Sequence, residues 1–449
     1  MIATKGKYFL KYYPQHMILL SLLISICIGT FLLYLPISRT TDIPWIDLFF
    51  TATSLTTVTG ILTVSMSDFT SFGHVVMLIL MQLGGLGLMT LSLCFIYMFS
   101  NLGLYTQVIA SEILSLKSFK DTKQTLFFII KLTCITELLG ACIIFPTMLK
   151  AYPVKKAIFY AIFHSVSSFC NAGFTLFPDK FMEFGHNQLM IYTTTFLMII
   201  GGLGFVTWHE LVNKFFKGKY IFRSISWHTK LVLRMYLLTG LISSILFLLL
   251  ERNHSLAQFG FFEKIAISLF SGISMKSTGL TVISFVTLRF ATLIITLLSM
   301  FIGSAPLSTG SGIKTSVFSI YLAVIKAAIQ GKRHAMLYER HIVDDQVYKA
   351  MAIIALSLSW IIFIIFCLFV TESHLDFLDV IYTTVSAFSN NGHLTISIDN
   401  LINISIIGKI FLIFSMIVGR IGALAIILSM KRIGELHDIS YPKEQVILG

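Results

Sequence analysis

The chain has 449 residues, 56% of them hydrophobic and only 12% charged, with a formal net charge of +12. Soluble domains carry about a quarter charged residues, so this composition excludes a soluble globular protein and indicates an integral membrane protein. The positive charge does not point to nucleic acid, because the lysines and arginines sit in short segments beside apolar runs and form no patch.

In chain order, residues 1–16 read as a cytoplasmic N-terminus. The first apolar run, Met17 to Leu35, follows Lys5, Lys7 and Lys11 and lacks a small-residue cleavage site, so it reads as a retained span. Further runs able to cross about 30 Å of hydrocarbon are Val75 to Phe99, Leu126 to Met148, Leu189 to Val212, Leu231 to Leu250, Met351 to Val370 and Ile402 to Met430. An eighth span, Phe290 to Ile302 and Ile313 to Ala328, is interrupted by "GSAPLSTGSG", Gly303 to Gly312. Between the members of each pair lies a shorter apolar stretch: Ile46 to Leu55, Ala157 to Phe169, Phe261 to Ile273 and Phe377 to Phe388. At about 1.5 Å per residue none can cross, so each predicts a helix that dips into the membrane and returns.

Each short stretch ends in a polar segment closed by glycine: "SLTTVTG" at Gly60, "SSFCNAG" at Gly173, "GISMKSTG" at Gly279 and "SAFSNNG" at Gly392. The glycines recur at intervals of 113, 106 and 113 residues, which marks a repeat architecture. Asp47 and Asp379 each precede their glycine by 13 residues, and a second landmark recurs in the closing spans at Gly84, Gly201, Gly303 and Gly419. The reading is an all-α polytopic membrane protein of four tandem units, each a span, a pore helix, a filter loop and a span. The units are 17–99, 124–212, 231–328 with an intramembrane loop at 303–312, and 350–430, followed by a cytoplasmic 431–449. Segments assigned inside hold 19 Lys and Arg and those assigned outside hold 8, so both termini are expected in the cytoplasm. All four units then share one orientation, in a pseudo-fourfold arrangement about one pore.

Irregular backbone at membrane depth must be buried in protein or line a watery cavity. Four such loops about an axis can offer carbonyl oxygens in place of an ion's water shell, which selects a cation. The candidate filter residues are Thr56, Thr57, Val58, Thr59 and Gly60; Cys170, Asn171, Ala172 and Gly173; Lys276, Ser277, Thr278 and Gly279; and Ser389, Asn390, Asn391 and Gly392. Lys276 would repel a cation in the path, so it is expected behind the filter, toward Glu263 or water. No carboxylate ring appears in the loops, which argues against a divalent-cation channel. The interrupting segment, with Gly303, Ser304, Pro306, Gly310 and Gly312, cannot stay helical; its freed polar groups are expected to need water, which places it across the pore. Arg420 lies well inside the last span, where a charge faces a cavity or a partner; it is expected near the Gly303 loop as an electrostatic barrier. Glu137 reads as a local packing or hydrogen-bonding feature.

An enzyme finds no support. "WHEL" at 208–211 lacks the second histidine of a zinc protease, and there is neither a nucleophile elbow nor a phosphate loop. The six cysteines have no paired spacing and read as apolar packers, with no resident metal site. The rival reading is a secondary carrier, which also uses broken helices.

The four glycines together with the broken third closing span resemble the Trk/Ktr/HKT superfamily of potassium transporters, and within it the length is similar to the bacterial Ktr membrane subunit. The resemblance covers roughly Met17 to Met430. It implies potassium selectivity, since all four glycines are present where a serine in the first repeat accompanies sodium conduction in plant relatives. It also implies K+ as the transported ion, with Na+ a candidate activator, and the interrupting segment as a gate. A homodimer with one pore per subunit would sit in the lipid of the bacterial plasma membrane, docked on a cytosolic RCK-type ring that carries the regulatory nucleotide. The basic segments 214–230 and 332–340 are candidate docking surfaces. His393 departs from the pattern, since an apolar residue usually follows the fourth glycine.

Overall fold

In hydrocarbon the backbone has no water to bond with, so long apolar runs close their hydrogen bonds internally as helices. The structure, a computed structural model, describes residues 14–86, 119–177, 181–216, 225–396 and 398–422. The expected tails, the later parts of the spans at 75–99 and 402–430, and basic residues 217–224 lie outside the described residues.

Repeat 1 comprises α1 (Pro14–Tyr34), α2 (Trp45–Thr57) and α3 (Ser71–Gly85); repeat 2 comprises α4 (Phe119–Ala151), α5 (Val154–Phe169), α6 (Gln188–Gly202) and α7 (Phe205–Phe216). Repeat 3 comprises α8 (Trp227–Glu251), α9 (Phe261–Ser277), α10 (Phe290–Phe301) and α11 (Thr315–Ile329). A two-stranded hairpin, β1 (Met336–Leu337) and β2 (Arg340–His341), follows, a small departure from an all-α chain. Repeat 4 comprises α12 (Asp344–Thr371), α13 (Phe377–Ser389), a short α14 (Ile398–Ile402) and α15 (Ile406–Ile421).

The four short apolar stretches are the pore helices α2, α5, α9 and α13, as expected. One closing span differs from expectation. The span expected over Leu189 to Val212 is two helices, α6 and α7, bent by 99° at the "GGLG" glycines. Helices α3 and α15 are described as far as Gly85 and Ile421, and Gly422 has φ +97°, outside the range of an ordinary helix. Among the described residues, three helices are long and apolar enough to cross a membrane, or four counting the bent pair.

Packing is cyclic. The closing helix of each repeat touches the pore helix of the next: α3 against α5, α6 against α9, α10 against α13, and α15 back against α2. Large apolar side chains cover the outside as well as filling the interior, where buried hydroxyls join them. Phe31, Phe127, Leu138 and Phe366 are largely exposed on the outer faces, while Thr51, Thr53, Ser54, Thr56 and Ser168 are fully buried at the centre. That pattern suits a lipid belt around a hydroxyl-rich axis.

The seams are tied by charge. Lys409 of α15 meets Asp47 of α2 at 2.7 Å, both nearly buried, and Thr63 donates to the same carboxylate at 2.6 Å. Asp379 repeats the arrangement with Thr395 at 2.6 Å. Glu251, at the end of α8, accepts from Arg289 N and Thr292 Oγ1 at the start of α10; Glu372, after α12, accepts from Ser405 N and Oγ at the start of α15. A carboxylate at a helix N-terminus satisfies its free N–H groups and its dipole.

Breaking a buried pair leaves an uncompensated charge and costs about 3–5 kcal/mol. Lys409→Ala is therefore expected to lower the thermal midpoint in detergent markedly. Asp47→Asn combined with Lys409→Met should recover most of the loss, and a midpoint unmoved by Lys409→Ala contradicts this role for the pair.

Candidate functional site

The pore helices end in the middle of the bundle, and three end alike. The residue two before the recurring loop glycine is left-handed in repeats 1, 2 and 4: Val58 at φ 59°, Asn171 at 57° and Asn390 at 49°. A β-branched residue such as Val58 adopts this only when its surroundings enforce it, at a cost of order 1–3 kcal/mol. In repeat 3, α9 continues through Ser277, and Thr278 lies at φ −114°. All four glycines are left-handed: Gly60 at +88°, Gly173 at +74°, Gly279 at +73° and Gly392 at +86°.

These glycines form a ring. A Cβ added at Gly60 would overlap the carbonyl oxygen of Ala172; at Gly173, that of Thr278; at Gly279, that of Asn391; and at Gly392, that of Thr59. Four glycines and four carbonyls thus alternate around a closed circle in chain order. Side chains bind neighbouring loops together. Thr278 Oγ1 donates to Asn171 Oδ1 at 2.6 Å, Asn390 Nδ2 to Thr59 Oγ1 at 2.8 Å, and Asn391 Nδ2 to the Met275 carbonyl at 2.9 Å.

The hydroxyls of the first loop are directed away from any ligand role. Thr56 and Thr57 donate back to Ala52 O and Thr53 O, each at 2.7 Å. A buried serine braces every loop against its pore helix. Ser54 Oγ accepts from Ile61 N at 3.0 Å, Ser167 Oγ donates to Phe174 O at 2.7 Å, Ser274 Oγ to Leu280 O at 2.5 Å, and Ser386 Oγ accepts from Gly392 N at 3.0 Å. Sequence reasoning missed these serines, although three open the aligned strings "SLTTVTG", "SSFCNAG" and "SAFSNNG".

Two expectations need correction. Thr56, Thr57, Lys276, Ser277 and Ser389 remain within their pore helices, so the irregular backbone starts after them. Lys276 does point behind the ring but not toward Glu263: its Nζ donates to Tyr236 O at 3.0 Å and Thr239 Oγ1 at 2.9 Å and lies 3.7 Å from the Tyr236 ring centre. Glu263 instead accepts from Gly260 N at 2.8 Å. The loop at 303–312 finds protein partners for all four of its hydroxyls and for part of its backbone.

That loop is fastened by protein on every side. Ala305 N and Thr309 N donate to Gly202 O and Gly201 O, both at 3.1 Å, Phe205 N donates to Leu307 O at 2.9 Å, and Ser304 N to Ser311 O at 3.1 Å. The break between α6 and α7 therefore exists to pair with the break between α10 and α11. Asn171 Nδ2 donates to Thr309 Oγ1 at 2.7 Å and Ser304 Oγ to Ser277 Oγ at 3.0 Å, joining the segment to the ends of the pore helices of repeats 2 and 3. Arg420 comes from the fourth side, donating to Thr309 O at 2.6 Å, Ser311 Oγ at 2.8 Å and Gly84 O of repeat 1. Lys314, which sequence reasoning passed over, donates to Gly310 O at 2.7 Å. Among the described residues neither cation has a carboxylate at ion-pair distance.

The second glycine landmark has its reason here. A Cβ at Gly84, Gly201 or Gly419 would overlap the pore-helix carbonyl of Thr56, Phe169 or Phe388 in its own repeat; at Gly303 it would overlap Ser311 O of the loop. Cys170 packs against Gly85 and lies 3.8 Å from Gln82 Oε1 and 3.9 Å from Glu137 Oε1, so Glu137 belongs to the packing behind the second loop, as expected. His393 is buried, its ring 4.2 Å from that of Phe285, which accounts for an aromatic residue where the pattern has an apolar one. Lys276→Met is expected to leave ion selectivity unchanged, because the ammonium faces α8; a changed K+/Na+ permeability ratio contradicts that placement.

A profile of the family described as TrkH, cation transport protein, matches residues 14–436. The Ktr system potassium uptake protein B of Bacillus subtilis (strain 168) is 32% identical over 444 residues, 98% of this chain and 97% of that protein. The potassium/sodium uptake protein NtpJ of Enterococcus hirae is 30% identical over 443 residues, 97% of each chain. The crystal structure of the potassium transporter TrkH from Vibrio parahaemolyticus aligns with a TM-score of 0.67 at 17% identity, over 87% of this chain and 79% of that one, and so supports the fold.

Proposed function

The chain belongs to the TrkH cation transport protein family, and on that premise we propose that it is the pore-forming subunit of a Ktr-type potassium uptake system. The observation that carries this is the closed ring in which each of the four glycines faces the next loop's carbonyl. A monovalent cation passing the ring would exchange its water shell for main-chain oxygens, held in place by the serine braces and the Asn171, Asn390 and Asn391 bridges. The ends of four pore helices, negative by their dipoles, favour the cation below it. The sequence carries no phosphate loop for ATP, and in this reading potassium moves down its electrochemical gradient.

The loop at 303–312 with Arg420 and Lys314 is the gate in this reading. Two cations and a tethered segment beneath a cation filter oppose passage, and the loop's tie to Asn171 couples gate to filter. Both termini lie in the cytoplasm, where a homodimer docks on a nucleotide-binding ring; sodium acts as an activator. Same-orientation units packed cyclically favour a pore over a carrier, which is typically built from inverted repeats. Expression in cells lacking potassium uptake tests this: growth at limiting K+ should be restored by the chain with its cytosolic partner, and failure to restore it with correctly inserted protein counts against the reading.

A further inference from the structure

We propose that the connection between α11 and α12 holds a divalent transition-metal ion of the Zn2+ class on His334, His341 and Asp344. Each of the three offers one ligand atom, and these atoms all lie within 4.8 Å of one another. His334 Nδ1 is 3.7 Å from Asp344 Oδ1, and the two imidazole rings stand at 70° with centres 4.4 Å apart. Bonds of about 2.1 Å in a tetrahedral site put ligand atoms about 3.4 Å apart, so small side-chain rotations complete the set.

The frame that carries the ligands is held by backbone pairing and packing, although the ligands themselves are exposed. Met336 pairs with His341 and Leu337 with Arg340 in the ladder, and Ile342 N donates to Ala335 O at 3.0 Å. Ala335 and Ile342 are buried against Ala323 of α11, and Arg234 of α8 lies 4.8 Å from the Tyr338 ring centre. The histidines are thus fixed at the mouth of one hairpin, and Asp344 is the first residue of α12. Two imidazoles and one carboxylate favour zinc, nickel or copper over magnesium or calcium. Exposure leaves the remaining coordination position to water or to a ligand from a partner. Helix α11 leaves the loop at 303–312, so a bound ion would tie the far end of that helix to the start of repeat 4.

Zn2+ titration by calorimetry of the full chain in detergent, purified on a tag without histidine, tests the site. One saturable site per chain at micromolar Zn2+ is expected, with four-coordinate d–d absorption when Co2+ replaces zinc. His334→Ala with His341→Ala should abolish that site, and Asp344→Asn should weaken it by about tenfold or more, with size-exclusion profiles unchanged. The chain's 12 histidines and 6 cysteines offer other weak sites; titration of the double variant identifies them. No saturable site at micromolar Zn2+, or an unchanged micromolar site in the double variant, overturns the proposal.

Discussion

Gly60→Ser is expected to reduce the preference for potassium over sodium by at least about tenfold, or ~1.4 kcal/mol of discrimination. The new Cβ would overlap the Ala172 carbonyl of the adjacent loop, and φ +88° disfavours any side chain there. Neither loop has room to yield, because Ser54 and Ser167 brace both against their helices. One displaced carbonyl changes the ligand count for an ion and the spacing of the next glycine in the ring. Serine at Gly173, where the overlap with Thr278 O is most severe, should be worse. Gly331 supplies the control, since it has φ +63° and a Cβ added there would meet nothing within 4 Å. Gly331→Ser shares the backbone strain and should leave selectivity intact. Ion-competition flux checks each variant; equal selectivity in Gly60→Ser and the parent removes the first loop from the filter.

Arg420→Ala is expected to raise potassium flux in the absence of any cytosolic partner, by about tenfold or more. The guanidinium joins the loop, through Thr309 O and Ser311 Oγ, to Gly84 O of repeat 1. Hydrogen bonds from a charged donor contribute about 1.5–3 kcal/mol each, so losing even one net bond shifts a closed-to-open balance by about tenfold. Removal also takes a positive charge away from the path of a cation. Lys314→Met removes the second charge and the bond to Gly310 O and should act in the same direction. Arg420→Lys, which keeps the charge but not the forked geometry, should fall between parent and alanine. Unchanged flux and unchanged dependence on the partner in both alanine and methionine variants would contradict the gate.

Much of this architecture is legible in the residues because the repeat imposes it four times. A single "TTVTG" says little, but four glycines after four helices too short to cross leave few arrangements. The nearness of Arg420 to the loop is legible too, since a charge at that depth must find a partner. What stays illegible depends on contacts between distant segments. Nothing in "GGLG" at Gly201 announces that α6 stops there so that Gly201 O and Gly202 O can receive Thr309 N and Ala305 N. The same pairing gives the interrupted segment protein partners that its own residues do not announce. The partner of Lys276 is hidden because Glu263, the nearby acid in sequence, lies at the other end of α9, while Tyr236 and Thr239 sit on a neighbouring helix. Lys314 reads as an ordinary helix-start residue, its role set by a carbonyl four residues earlier in a loop whose path only the fold defines.

If the four-glycine ring selects the ion, the protein conducts potassium in preference to sodium. Purified protein in proteoliposomes, loaded with K+ and assayed for 86Rb+ and 22Na+ uptake with and without the cytosolic partner, tests it most directly. Rubidium uptake is expected, with K+ competing for it, Na+ competing poorly and the partner stimulating it. Transport of an organic anion without potassium, or equal uptake of rubidium and sodium by the parent chain, would contradict it.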